Sequence, residues 1–408
     1  MPAAREAATP LASLRPRAAV AALLAIASMS FCYVTTESLP VGLLPVIAHS
    51  LRASLSAVGF LVTGYAVTVA IVSIPLTYLT RRVPRRFLMS VMLAAFVLTA
   101  WASAAAPDYW VLMAARISTS LSQAVFWSVA PAAVAGLFPP RARGRAISVL
   151  FAGNSLAVVA GVPAGTWLGQ QAGWRVPFGV LGAVGILPLV TIAAVLPTAA
   201  PGASHAASGT APDGGRYRVL VVTTAVVITG AFASYTYIVP FLIRVSGFPT
   251  HAISALLLLS GAVGTGGLFC ASALVDRRPR TAVSVPIGLL AVALLGLYLS
   301  GTSRLAAAGL LALFGFALTW LAIALQNRVL QVAPGNSDIA SAGNSAAFNI
   351  GIASGAFVGG LLLPAFGVRS TALAGGLLAM AGLAVALSEP LFASAGGGSR
   401  DVPGGGSR

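Results

Sequence analysis

One acidic and one basic residue lie well inside the apolar segments of this sequence, where ionised groups are rare. Glu37 precedes Pro40 in the first apolar segment, and Arg116 lies in the fourth. A buried carboxylate in hydrocarbon is costly, so such an acid usually faces a cavity and carries a proton or binds a cation. We expect Glu37 to exchange protons and Arg116 to tune it or relay its proton. The alternatives are a static acid that braces the bend at Pro40 and an arginine that reaches the lipid headgroups.

Polar and aromatic side chains in the same segments could bind a neutral solute. Amides hydrogen-bond hydroxyl groups, and an aromatic ring can lie against the face of a sugar ring. The candidate substrate contacts are Gln123, Trp127, Asn154, Tyr235, Tyr237, Gln326, Asn344 and Asn349. Each amide has a structural alternative, because a single amide in a membrane helix often hydrogen-bonds a neighbouring helix.

The residues for several other chemistries are missing from the sequence. The three histidines and two cysteines have no metal-ligand spacing, and no phosphate-binding loop, nucleophile elbow or zinc-protease motif occurs. We therefore expect a protein that is not an enzyme and needs no cofactor, with a proton gradient as its energy source.

The elements that carry the candidate residues must be membrane helices. Of the 408 residues, 58% are apolar and only 8% are charged, whereas about a quarter of a soluble domain is charged. A helix needs about 20 apolar residues to cross the hydrocarbon. By this criterion we predict twelve spans, at 18–48, 55–79, 86–106, 109–137, 145–171, 176–196, 218–245, 252–275, 281–301, 304–331, 339–363 and 370–392.

A polar stretch rich in Ala, Gly, Ser and Pro divides these spans into six and six. The predicted organisation is an N-terminal tail at 1–17, a first six-helix bundle at 18–196 and a cytoplasmic linker at 197–217. A second bundle follows at 218–392, and the Gly-rich composition of 393–408 predicts a disordered tail.

The distribution of positive charge predicts the orientation. All 24 basic residues are arginine, the formal net charge is +16, and most of the arginines fall on the side of the spans that carries both termini. Cytoplasmic loops of membrane proteins are enriched in such residues. We therefore place both termini in the cytoplasm, and the net charge then requires no nucleic acid partner.

Three landmarks recur in the two halves and indicate an internal repeat. Thr36–Pro40 matches Thr236–Pro240, an arginine-rich loop follows both the second and the eighth span, and glycines recur every fourth residue in spans 5 and 11. Such glycines let helices pack closely. The loop residues are Arg82, Arg85, Arg86, Asp276 and Arg277, and the helix-interface residues are Gly161, Pro163, Gly165, Gly351 and Gly355.

Several of these runs resemble the bacterial sugar efflux transporters, in the twelve-span drug:proton antiporter branch of the major facilitator superfamily. They are Thr35–Leu44, Phe126–Ser128, Gly161–Gly165, Tyr235–Phe241 and Phe348–Ile352. The likeness is greatest to exporters of arabinose and thiogalactosides. The sequence departs from the family pattern at three places, one of which is Ser120 in span 4, where the family usually has a glycine. Gln123 stands where sugar exporters often have a histidine, and the loop after span 2 lacks the usual acid.

The resemblance implies an all-α polytopic membrane protein with the major facilitator fold, built from two pseudo-symmetric six-helix bundles. It also implies a proton-coupled antiporter that exports small neutral solutes by alternating access in a bacterial inner membrane, where it functions as a monomer. Its partners would be the solute, protons and the lipid bilayer. The alternatives are a multidrug:proton antiporter and a membrane sensor that transports nothing.

Overall fold

The protein is built from membrane-spanning helices. The computed structural model describes residues 16–80, 83–196, 212–275, 277–334 and 337–392. Within these ranges, twelve helical spans are long and apolar enough to cross a membrane, which confirms the predicted all-α polytopic fold. The predicted loop residues Arg82 and Asp276 lie outside the described residues, as do the tail at 393–408, nearly all of the N-terminal tail and most of the linker.

Fifteen α-helices form the twelve spans in the described part of the chain. The first half contains α1 (Pro16–Gly42), α2 (Leu44–Ser50), α3 (Leu55–Thr80), α4 (Arg85–Ala105), α5 (Tyr109–Leu137), α6 (Pro140–Leu156), α7 (Val162–Ala172) and α8 (Arg175–Val195). The second half contains α9 (Gly214–Tyr235), α10 (Ile238–Arg244), α11 (Ile253–Leu274), α12 (Pro279–Ser300), α13 (Arg304–Val332), α14 (Ser337–Phe366) and α15 (Arg369–Leu387). The helix α9 thus begins inside the range predicted as linker.

Three spans consist of two helices each, and each of them has a proline near the junction. Span 1 is α1 and α2, span 5 is α6 and α7 joined by a π-helical turn at Ala157–Gly161, and span 7 is α9 and α10. A proline has no N–H to donate to the carbonyl four residues earlier. Pro40 and Pro240 therefore free a carbonyl in spans 1 and 7, and Pro163 directly follows the π-helical turn.

Close helix contacts within each half depend on the glycines predicted for this purpose. A Cβ atom at Gly161 or Gly165 would lie 2.2 Å from Thr35 Oγ1 or 2.6 Å from a Leu39 methyl carbon of α1. In the second half, Gly351 and Gly355 lie equally close to α9. Span 5 therefore packs on span 1, and span 11 packs on span 7, at distances that only glycine permits. Pro163 is buried in the first turn of α7.

The helix ends form two faces. The terminal face carries Pro16 and Leu387 with the α3–α4 and α5–α6 connections, and the opposite face carries the connections at 51–54, 106–108 and 301–303. Two arginines repeat the same contact on the opposite face. Arg175 at the start of α8 donates to the carbonyl of Ala106, 2.7 Å away, and Arg369 at the start of α15 donates to that of Tyr298, also at 2.7 Å. The repeated contact reflects the pseudo-symmetry of the bundles.

The two bundles meet mainly through α3 with α14 and through span 5 with α11. The rings of Phe60 and Phe357 lie 5.6 Å apart, and Thr63 Oγ1 donates to the Ala353 carbonyl at 3.4 Å. A Cβ at Gly261 of α11 would touch the backbone of the π-helical turn. At 1.5 Å per residue, these contacts all lie within about 20 Å of the opposite face. The halves are therefore closed together on that side.

Candidate functional site

A buried arginine donates a hydrogen bond to the backbone carbonyl that Pro40 leaves without a donor in α1. The Thr36 carbonyl has no intrahelical donor, because the residue four positions later is Pro40. One Arg116 nitrogen donates to Thr36 O at 2.5 Å, and another donates to Glu37 O at 2.9 Å. The Arg116 side chain is 0% exposed, and its guanidinium carbon lies 4.5 Å from the centre of the Tyr65 ring. Backbone carbonyls and an aromatic face thus surround this cation.

The Glu37 carboxylate has an amide rather than the arginine as its hydrogen-bond partner. Gln123 Nε2 donates to Glu37 Oε2 at 2.7 Å, and the Tyr65 hydroxyl donates to Gln123 Oε1. Within the described chain, no ion pair within 4 Å joins Glu37 to Arg116. The structure therefore brings Glu37, Arg116 and Gln123 together as one cluster, with Gln123 beside the acid. It adds Tyr65, which the sequence analysis did not identify.

Glu37 is the member of this cluster that keeps accessible surface. Arg116 and Tyr65 are completely buried, Gln123 is 4% exposed, and Glu37 is only partly buried. An acid on a partly exposed residue, held at one oxygen by a buried amide, can exchange a proton while its surroundings stay fixed. The buried remainder of the cluster provides a preorganised polar site around it.

Among the described residues of the second half, no equivalent cluster occurs. Asp108 caps α5 and Ser303 caps α13, so the two helices can be aligned from their first residues. In this register Leu311 corresponds to Arg116 and Leu318 corresponds to Gln123. The Thr236 carbonyl therefore lacks the arginine that its counterpart has, and α9 ends at Tyr235, whereas α1 continues to Gly42.

Tyr237, which aligns with Glu37, lies between the two halves. It is completely buried, and its hydroxyl donates to the Ala356 carbonyl of α14 at 2.9 Å. Its ring and hydroxyl lie so close to Gly59 of α3 and Gly360 of α14 that a Cβ at either glycine would be within 2.7 Å. This predicted substrate contact is thus part of the closure near the opposite face.

Two predicted amides form a polar network between helices of the second half. Asn344 Oδ1 accepts from Thr224 Oγ1 at 2.8 Å, and Asn344 Nδ2 donates to Gln326 Oε1 at 3.0 Å. Gln326 Nε2 in turn donates to Ser341 Oγ at 2.6 Å. Asn344 is 4% exposed and Gln326 is partly buried. The network joins α9, α13 and α14, and Gln326 is its more accessible predicted member.

The remaining substrate candidates are partly exposed. Trp127 stacks on Phe151 with ring centres 5.8 Å apart, and Tyr235 stacks on Phe314 at 5.4 Å. Asn349 Nδ2 donates to a carbonyl of its own helix at 3.0 Å, and the part of the chain that is described contains no side-chain hydrogen bond to Asn154. These residues provide aromatic faces in both halves and one amide without a protein partner.

The predicted loop residues that the structure describes, Arg85, Arg86 and Arg277, lie at the terminal face. Arg86 donates to the carbonyl of Ala193 near the end of α8, where a cation is favourable beside a helix C-terminus. Arg85 is partly buried and Arg277 is exposed. These two loop residues thus lie at the surface near the ends of α3 and α11.

A buried ion pair at the terminal face was missed by the sequence analysis. Arg328 Nε donates to Glu389 Oε1 at 3.1 Å, and Arg328 is also bonded to Gln331. Arg328 is 7% exposed and Glu389 is 2% exposed. A short 3₁₀ helix after α15 brings Glu389 back against the end of α13. The sequence indicates this ion pair only by placing an arginine and an acid near the ends of two predicted spans.

The family model and the relatives that match this sequence are all membrane transporters or their families. The sequence model of the Major Facilitator Superfamily matches residues 26–341. A "probable sugar efflux transporter" of Helicobacter pylori (strain HPAG1) is 32% identical over 357 residues, which are 87% of this chain and 91% of the relative. A protein of Mannheimia succiniciproducens with the same description is 32% identical over 361 residues, 87% of this chain and 90% of the relative.

Solved structures share the fold at low sequence identity. A bacterial homologue of the human lysosomal transporter Spinster, inward-facing and unoccupied, gives a TM-score of 0.73 at 16% identity and covers 93% of this chain and 98% of its own. The peptide transporter POT in complex with alafosfalin gives 0.71 at 13% identity, with 91% and 94% covered. The sequence match, the relatives and the twelve-span fold together identify the chain as a transporter that belongs to the major facilitator superfamily.

Proposed function

We propose that this transporter exports small neutral solutes, with sugars such as arabinose or thiogalactosides as the best-supported class, in exchange for protons. The observation that carries the proposal is the acid Glu37, a partly exposed residue within an otherwise buried polar cluster. An ionisable group inside a membrane span marks a proton or substrate pathway by default. The positive charge of the terminal face supports a bacterial inner membrane location with both termini in the cytoplasm.

In this orientation the closed side of the molecule is the outer one. The contacts between the halves would then exclude access from outside, as an inward-facing state requires. Alternating access requires a second state in which the same halves separate near the opposite face and approach each other near the terminal face. Glu37 would take up a proton in that outward-facing state and release it to the cytoplasm in the inward-facing one.

Competition between proton and solute at Glu37 provides a mechanism for exchange. The ionised carboxylate accepts hydrogen bonds strongly, and charge-assisted hydrogen bonds are about twice as strong as neutral ones. A sugar hydroxyl that reaches Glu37 can donate to it. A proton arriving from outside converts the carboxylate into a weaker acceptor, so the solute leaves. The protonated transporter then returns to the inward-facing state.

The sugar assignment depends on the relatives and on the composition of the candidate cavity. The relatives described as probable sugar efflux transporters cover most of this chain. Trp127 and Tyr235 offer aromatic faces in opposite halves, and Gln326 offers an amide. A specific observation also favours a second candidate. The stacked aromatic pairs would equally suit flat lipophilic drugs, as in a multidrug:proton antiporter.

The test is transport of labelled arabinose into proteoliposomes, measured both as counterflow and as accumulation driven by a pH gradient. We expect wild type to do both, and Glu37→Gln to retain counterflow but lose accumulation. Asp108→Asn is the matched control, because Asp108 is a helix cap on the opposite face and lies outside the cluster. Loss of neither activity in Glu37→Gln would contradict proton coupling through Glu37. Absence of arabinose transport together with proton-driven transport of lipophilic drugs would favour the multidrug alternative.

A further inference from the structure

Tyr65 connects to the proton-binding acid through the side chain of Gln123. We infer that Tyr65 is a positioning residue that holds the Gln123 amide with its N–H groups toward Glu37, and thereby sets the pH range of coupled transport. The inference rests on the proposed function, because it assumes that Glu37 carries the proton.

The hydrogen-bond chain has one direction when Glu37 is ionised. A carboxylate only accepts hydrogen bonds, and an amide has a donating and an accepting end. The Tyr65 hydroxyl donates to Gln123 Oε1, so Gln123 Nε2 is the end that faces Glu37, 2.7 Å from its Oε2. If the amide were reversed, Gln123 Oε1 would face Glu37 and Nε2 would face the tyrosine oxygen. The reversed amide would repel a carboxylate but accept from a protonated acid.

The Tyr65 hydroxyl therefore favours the ionised form of Glu37. Tyr65 is completely buried on α3 and Gln123 is 4% exposed, so water has little access to replace this hydrogen bond. The Tyr65 ring has a separate contact, because it lies under the guanidinium of Arg116. Replacing Tyr65 by phenylalanine keeps this ring contact and removes only the hydroxyl.

The other titratable groups around α1 do not take part in this chain. The hydroxyl oxygen of Tyr33, on α1 itself, lies 3.1 Å from both Ser122 Oγ and Met92 O. Cys32 is buried beside it. Arg116 contacts backbone carbonyls of α1. The remaining described groups on α1 and the elements packed against it lie near helix ends, and they are Arg17, His49, Tyr78, Arg85, Arg86, Tyr109, Arg143, Arg145, Arg175, Tyr237, Arg244 and Cys270.

The experiment compares Tyr65→Phe with Tyr33→Phe, a matched control that removes a buried tyrosine hydroxyl from the same bundle. The rate of pH-gradient-driven transport is measured in proteoliposomes across pH, together with the half-saturating solute concentration in counterflow. We expect Tyr65→Phe to move the pH midpoint upward by about one unit, a tenfold change in proton concentration that corresponds to one hydrogen bond near a charge. The half-saturating solute concentration, measured well above the midpoint where Glu37 is ionised in both proteins, should stay the same. Tyr33→Phe should leave the midpoint unchanged.

A second variant keeps the inference testable if Tyr65→Phe folds poorly. Gln123→Met removes the amide that links Tyr65 to Glu37, so it should shift the midpoint in the same direction, and adding Tyr65→Phe to it should cause no further shift. An unmoved midpoint in Tyr65→Phe, or equal shifts in Tyr65→Phe and Tyr33→Phe, would overturn the inference while leaving the proposed function intact. Retention of coupling in Glu37→Gln would instead refute the proposed function itself.

Discussion

The closure near the opposite face depends on a tyrosine that fits between glycines of both halves. A methyl group at Gly59 would lie 2.0 Å from the Tyr237 hydroxyl oxygen, although non-bonded contacts are normally about 3.5 Å or longer. Tyr237 has no room to move away, because Gly359 and Gly360 lie against its other side and its hydroxyl is bonded to Ala356. Gly59→Ala must therefore push the halves apart or displace the tyrosine.

The expected shift follows from these contacts. Overpacking costs about 1–3 kcal/mol, and loss of the Tyr237 hydrogen bond costs about 0.5–1.5 kcal/mol more. Because 1.4 kcal/mol is a factor of ten in an equilibrium constant, Gly59→Ala should shift the conformational equilibrium about ten- to a thousandfold toward the state that is open near the opposite face. This change can be detected in lipid nanodiscs by spin-echo measurement of the distance between two spin labels, one on each half.

The labels can be attached at Trp110 and Leu305, equivalent positions that are 75% and 87% exposed at the starts of α5 and α13. The two native cysteines would first be replaced by alanine. Gly288→Ala is the control, because a Cβ there meets no atom within 4 Å. We expect longer distances in Gly59→Ala than in the control. Identical distance distributions in the two variants would refute the proposal that this contact closes the halves.

Three further predictions concern stability and the arginine of the cluster. Arg116→Lys cannot match the planar two-point contact with the carbonyls of α1, so pH-driven transport should fall at least tenfold, and wild-type rates would contradict this role. Arg328→Met should lower the unfolding free energy by about 3–5 kcal/mol, because it leaves Glu389 buried without its partner. The double variant Arg328→Met with Glu389→Leu should recover most of this loss. Equal losses in the single and double variants would count against a buried ion pair. Gly355→Ala places a methyl group 2.4 Å from a carbonyl oxygen of α9 and should cost about 1–3 kcal/mol in thermal unfolding, whereas Gly309→Ala, with no atom within 4 Å, should have little effect.

Hydropathy and arginine distribution were sufficient to predict the spans, because a membrane helix needs a long apolar run whatever its neighbours. Intramembrane charge likewise identified Glu37 and Arg116. Their contacts were less predictable, since the hydrogen bonds of Arg116 go to backbone carbonyls of α1 rather than to the Glu37 carboxylate. The sequence does contain the signal for one of these contacts, because Pro40 necessarily frees the carbonyl of Thr36.

Partners from distant parts of the chain could not be predicted in this way. Tyr65 is one aromatic residue in an apolar helix, and only the packing of α3 against α5 reveals that its hydroxyl reaches Gln123. Arg328 and Glu389 lie near the ends of different helices, and a 3₁₀ turn decides whether they meet. Each of these contacts depends on helix orientation, which hydropathy does not encode.

Proton release on solute binding tests the central claim most directly. Arabinose would be added to purified protein in weakly buffered solution below the midpoint of the transport pH profile, and the proton concentration followed with an indicator dye. If a sugar hydroxyl and a proton compete for Glu37, wild type should release about one proton per solute bound. Glu37→Gln should bind arabinose more weakly and release none. Equal release from both proteins, or arabinose binding to wild type without release, would contradict the assignment of Glu37 as the coupling acid.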